Sequence, residues 1–125
     1  MALSGVILVT NNPLAEDQYK DDFLIEYLEA EMIDVLIRVR DHIHKGRRLL
    51  THPLSGSIKP NETPYKSVLV SQTQGATDEQ SVYIIEECIM AVGKFPLKVI
   101  PESCLPDLRD MDLILVKSAL VLQMS

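Results

Sequence analysis

The sequence predicts an α/β fold, with a small, mostly parallel sheet of three to five strands. Two or three helices flank it in a single three-layer domain. Two observations carry that reading. Short apolar runs rich in β-branched residues alternate with longer segments whose apolar residues recur at helical spacing. Proline, glycine or asparagine closes several of them, as Asn11-Asn12-Pro13 does the first and Gly46 the helix after it. A length of 125 residues suits one domain with a core of its own.

The first run, residues 5–10, reads Gly5-Val-Ile-Leu-Val-Thr10 and stops at Asn11-Asn12-Pro13. It predicts a buried strand followed by a turn. Asn11 and Asn12 then stand at the C-terminal edge of that strand, where open α/β sheets bind ligands. The competing role for both is to bond their own backbone in the turn. Residues 14–22 are polar and acidic, enough for about a turn of helix. Residues 23–29 fit a second strand, with helix as the alternative.

Met32, Leu36, Val39 and Ile43 make one apolar helical face, and Gly46 is a natural residue to end that helix. His42 and His44 point to different sides of it, so they make a poor metal pair and read as surface histidines. Residues 47–51 predict a strand entering a long loop, and residues 66–71 a strand leaving it. Thr77 with Gln80 fits a capping box. Val82, Ile85, Ile89 and Val92 form the next helical stripe, with Gly93 as its stop. Residues 97–100 fit a short strand, and Pro106 suits the start of a last helix. The stretch 113–122 is apolar on both faces, readable as helix or strand. It predicts burial in the core or against a second subunit, which leaves a homodimer open.

Hydrophobic residues make up 46% and charged residues 24% of the chain, ordinary values for a soluble globular protein. The start lacks the basic flank of a signal peptide and no apolar run reaches membrane-span length, so a cytoplasmic protein without a membrane partner is expected. The net charge of −6 argues against a nucleic-acid partner. Charge is unevenly spread. Residues 38–66 hold seven Lys and Arg against Asp41 and Glu62, which points to an anionic ligand or partner near this segment. Cys88 and Cys104 lack metal or redox spacing and read as two buried thiols, with no metal site and no cofactor expected.

The 51–66 loop is the candidate site. Three prolines stiffen it, and loops of this length are often functional. His52 leaves a strand and precedes a proline, a position suited to a general base or an anion donor. Ser55, Ser57 and Thr63 offer hydroxyls, Lys59 and Lys66 charge, Asn61 an amide and Glu62 a carboxylate. Gly56 can expose backbone N–H groups to an anion. With Asn11 and Asn12 these residues make one candidate pocket for a small anion, provided the 5–10 and 47–51 strands are parallel neighbours. The alternatives are a docking surface and a catalytic site with His52 as acid or base on a phosphorylated or carboxylated substrate.

Three stretches resemble one known family. They are Thr10-Asn-Asn-Pro13, His44-Lys-Gly46 and the run Thr51-His-Pro-Leu-Ser-Gly-Ser-Ile-Lys-Pro-Asn-Glu-Thr-Pro-Tyr-Lys-Ser67, which together look like the GrdX family. The resemblance covers about residues 6–90. Members of that family are encoded beside the glycine, sarcosine and betaine reductase systems of anaerobic amino-acid-fermenting bacteria. Those systems use selenoproteins, yield acetyl phosphate and draw electrons from thioredoxin. The resemblance implies a small cytoplasmic accessory protein with a reductase subunit as a candidate partner. It implies no catalytic residues. The chain has no redox cysteine pair, so it is not expected to carry electrons itself.

Overall fold

The computed structural model describes residues 5–54, 59–96 and 98–124, apart from the side chain of Met124. The element order is β1 (Val6–Thr10), α1 (Pro13–Tyr19), β2 (Leu24–Tyr27), α2 (Met32–His44), β3 (Ser67–Ser71), α3 (Glu79–Lys94) and α4 (Leu105–Met124). A 3-10 turn, Glu102–Cys104, leads into α4. The α/β class is as expected; among the described residues there are three strands, in the order β2-β1-β3, and four α-helices rather than two or three.

The sheet is mixed rather than mostly parallel. β1 pairs in parallel with β2, through α1, and antiparallel with β3. The 51–66 loop is the cause. It reverses the chain between residues 47–51 and β3, so those two segments meet as the arms of a wide hairpin, with Leu49 bridged antiparallel to Val70. Buried runs carry no mark of direction, because both faces are apolar whichever way the neighbour runs.

The 47–51 segment is not the regular strand its composition predicts. Hydroxyls interrupt its ladder. Ser71 Oγ accepts the Arg48 N–H at 2.8 Å, Ser81 Oγ accepts the Leu49 N–H at 3.0 Å, and Thr51 Oγ1 accepts the Leu69 N–H at 3.1 Å. Side-chain oxygens here compete with backbone carbonyls for the same donors.

Strand alternation divides the core between two faces. Ile7, Val9, Val68 and Val70 meet Val35, Leu36, Val39 and Ile43 of α2 and Ile85 and Cys88 of α3. Val6, Leu8 and Leu69 meet Ala15 of α1 and Val116 and Leu120 of α4. The tail is therefore helix, not strand. Its inner stripe is buried, whereas Ile114 and Val121 on the other side are 61% and 64% exposed.

Several local expectations are corrected. Asp78, not Thr77, caps α3 by accepting the Ser81 N–H at 3.1 Å. Gly93 lies inside α3, which ends at Phe95-Pro96. Residues 98–100 form no strand. Cys88 is buried but Cys104 is exposed, because it sits in the 3-10 turn ahead of α4. His42 is buried, with Nε2 2.8 Å from Glu26 Oε1 and Nδ1 3.2 Å from an Arg47 guanidinium nitrogen. Burial pushes the Glu26 carboxyl up, but His42 and Arg38 together hold it below the ordinary glutamate value.

Gly46 ends α2 at φ 95°, a conformation that L side chains rarely adopt, and a Cβ there would lie 2.1 Å from the carbonyl oxygen of Gly75. Gly75 donates its N–H to the Gly46 carbonyl at 2.9 Å, so backbone blocks the space. Gly46→Ala is expected to lower stability in urea by more than about 1 kcal/mol, the cost of left-handed backbone alone. Gly93→Ala, with nothing within 4 Å of its added carbon, is expected to raise stability by up to about 1 kcal/mol. Urea midpoints that move in the same direction for both variants would contradict this account.

Candidate functional site

Four passages of the chain meet at one edge of the sheet. β1 and β2 leave it there, β3 enters it there, and so does the end of the 47–51 segment. That segment and β1 are not neighbours, since β3 lies between them. Each is antiparallel to β3, so they run the same way and their exits share the edge. Asn11, Asn12, His52 and Lys66 lie near that edge, but not in one pocket: His52 and Lys66 line one cavity and Asn11 another.

Asn11 and Asn12 are both buried, and their side chains are engaged by the fold. Asn11 accepts the Lys66 N–H at 2.8 Å and donates to the carbonyls of Ala30 at 3.0 Å and Pro64 at 2.8 Å. It joins the exits of β1 and β2 to the end of the loop. Asn12 caps α1 by accepting the Leu14 N–H at 3.1 Å. Its amide donates to the Arg109 carbonyl at 3.0 Å and to Asp112 Oδ2 at 2.9 Å, both on α4.

Asp112 is one residue that sequence reasoning missed. It is buried, and Ser67 Oγ lies 2.6 Å from its Oδ2. Thr10 Oγ1 lies 2.7 Å from Ser67 Oγ and accepts the Asn12 N–H at 2.9 Å. Because Ser67 donates to the carboxylate, Thr10 donates to Ser67, and the chain runs Asn12 N–H, Thr10, Ser67, Asp112. The available signal was position. Asp112 stands four residues after Leu108 and four before Val116, on a stripe that is otherwise apolar.

Behind this edge lies a cavity of about 30 Å³, lined by Thr51, His52, Lys66, Ser67 and Asp112 among others. Lys66 is only 8% exposed. Burial pulls its ammonium below the ordinary lysine value, opposed by Asp112 and then Cys88. His52 is exposed, and its Nδ1 accepts the Leu54 N–H at 3.1 Å, which leaves the proton of the neutral ring on Nε2. The space takes about one water, not a substrate.

On the other side of Asn11 is a hollow of about 470 Å³, whose polar wall is Tyr27, Glu29, Tyr65, Lys98 and Arg109. Arg109 donates from Nε to the Tyr65 hydroxyl at 2.7 Å, with its guanidinium carbon 5.5 Å from the centre of that ring. Burial, then Glu29, Glu16 and Tyr65, push the Tyr27 hydroxyl up against the opposing pull of Arg109, so it stays a donor at neutral pH. A groove of about 290 Å³ adjoins the hollow and includes Asn61 and Thr63 in its wall. Thr63 is buried and accepts the Tyr65 N–H at 3.2 Å. Lys59 and Glu62 are exposed at a turn closed by the Glu62 N–H on the Lys59 carbonyl. Ser55, Gly56 and Ser57 lie outside the described residues.

The fold and this edge define a small mixed α/β protein with a basic, tyrosine-lined hollow beside the first strand. Residues 7–121 match the family described as GrdX-like protein, and the chain belongs to that family. The match runs through α3 and most of α4, beyond the 6–90 span in which the resemblance was legible. Membership implies association with glycine reductase systems. No curated protein and no solved structure matches the chain.

The buried lysine has a measurable consequence. Between its lowered native pKa and the ordinary value of 10.5, the unfolded chain holds a proton that the native state has released. Stability attributable to Lys66 therefore rises with pH across that interval. The wild type is expected to gain stability relative to Lys66→Met as pH is raised toward 10.5, measured as a difference in urea midpoints at each pH. Parallel curves for the two proteins would show that this ammonium carries no burial penalty.

Proposed function

We propose that the protein is an accessory component of glycine, sarcosine or betaine reduction that binds a small carboxylate in the hollow beside β1. The observation that carries this is Arg109. Its Nε is spent on Tyr65, while its terminal nitrogens take no hydrogen bond among the described residues and the group borders open space. A guanidinium so placed suits the planar, paired oxygens of a carboxylate. Lys98 adds a second cation, and Glu29 at the same wall leaves the polar residues there with one net positive charge. That balance favours a monoanion over a phosphate dianion. The substrates of the associated systems, glycine, sarcosine and betaine, each carry one carboxylate. The 51–66 loop contributes Pro64 and Tyr65 to the wall, and its Asn61 and Thr63 border the adjoining groove.

A second reading, docking of a reductase subunit, is favoured by the exposed apolar side of α4 at Ile114 and Val121. No helix among the described residues is long and apolar enough to cross a membrane, so that surface is not accounted for as a membrane span. Catalysis by His52 has less support, because the cavity at its ring holds no room for a substrate.

Calorimetric titration of glycine, betaine, acetate and inorganic phosphate separates these readings. Carboxylates are expected to bind in preference to phosphate. Arg109→Gln should weaken them at least about tenfold, since a hydrogen bond to a charged group contributes roughly 1.5–3 kcal/mol. If no carboxylate binds at millimolar concentration, docking of a protein partner becomes the better account.

A further inference from the structure

Resting on the carboxylate reading above, we infer that the hollow and the adjoining groove form one site. The ligand class the site fits is an N-acylated amino acid with an apolar side chain. The two spaces share Ala30, Pro64, Lys98 and Ile100 in their walls, so they adjoin along one ridge. Beyond that ridge the groove is bounded by Met32, Ile33, Val92 and Phe95. A groove of about 290 Å³ with such walls takes an aliphatic or aromatic side chain.

Asn61 supplies the specificity. Its Oδ1 is buried and finds no donor among the described residues, and its carboxamide makes no hydrogen bond among them at either end. A buried acceptor without a donor is uncommon in a folded protein and points to a missing partner. A secondary amide matches it at both ends, giving an N–H to Oδ1 and taking one from Nδ2. A single water there would meet mostly apolar walls, with few other polar groups to hold it.

Charge fixes the direction in which the ligand lies. The groove reaches the start of α2, where Glu31 lines the wall and Asp34 Oδ2 accepts the Glu31 N–H at 3.0 Å. Two carboxylates at that end repel an anionic head, whereas Arg109 in the hollow, with Lys98 on the shared ridge, attracts it the other way. The carboxylate lies in the hollow, the amide passes Asn61, and the apolar body fills the groove. Neither an amino acid as small as glycine nor a plain fatty acid satisfies all three features.

The test is calorimetric titration of the full chain with N-acetyl-L-leucine and three relatives. 4-Methylpentanoate lacks the amide, N-acetylglycine lacks the side chain, and N-acetyl-leucinamide lacks the carboxylate. N-acetyl-L-leucine is expected to bind at least about tenfold tighter than each, the scale of one lost hydrogen bond to a charged or buried partner. Asn61→Leu should bring its affinity down to that of 4-methylpentanoate while leaving the latter unchanged. Equal affinities for N-acetyl-L-leucine, N-acetylglycine and 4-methylpentanoate would overturn the joined site and leave the carboxylate reading standing. Equal affinity for the acid and its amide would overturn the carboxylate reading, and no binding by any of them at millimolar concentration would overturn both. The ligand series is read on the wild type, so it decides the matter even if Asn61→Leu fails to fold.

Discussion

A buried carboxylate holds the end of the sheet together. Asp112, on the last helix, receives hydrogen bonds from Asn12 at the exit of β1 and from Ser67 at the entry of β3. Those two strands are adjacent and antiparallel, so a single side chain pins both at their shared edge. A carboxylate out of water is tolerable only when its oxygens are bonded and a positive charge stands near. Lys66 supplies that charge from the same cavity. Removing Asp112 would cost the Asn12 and Ser67 donors a shared acceptor and take a negative charge from the neighbourhood of Lys66 at the same time.

Everything proposed about binding is built outward from that edge. Asn12 also donates to the Arg109 carbonyl, so the backbone of α4 is docked one turn before Asp112. Arg109 is thereby set against Tyr65, and Tyr65 is placed by a loop whose end Asn11 grips through the Lys66 N–H and the Pro64 carbonyl. The two asparagines position the walls of the hollow, and both amide N–H groups of each are already donated within the fold. Lys66 and Lys98 show how burial separates equivalent side chains. Lys66, enclosed with Asp112, acts within the fold, whereas Lys98 is exposed at the rim and available to an incoming anion.

Much of the fold was legible from local pattern. Val6–Thr10 and Ser67–Ser71 are strands because β-branched apolar runs bounded by turns have few other outcomes, and α2 begins at the residue where its stripe begins. The 47–51 run was misjudged. Its apolar residues fit a strand, but hydroxyls from Ser71, Ser81 and Thr51 displaced the ladder, and two of those three lie far along the chain. His42 was misjudged for a related reason. Its helical position is at the rim, but Glu26 of β2 and Arg47 enclose it.

The sequence by itself determined the class of fold and the residues of the loop, because each rests on neighbours within one turn or one short run. It also carried the family, through motifs held in continuous stretches. Tertiary structure decided how the candidate residues divide. His52 and Lys66 face one small cavity, Asn61 and Thr63 border a groove, and Asn11 and Asn12 are consumed by the fold. It also brought in Tyr27, Lys98, Arg109 and Asp112, which no local motif marks. Those choices rest on contacts such as Asn12 to Asp112, made across most of the chain's length. Local spacing constrains only the next few residues, and it has no bearing on which distant helix closes over the sheet.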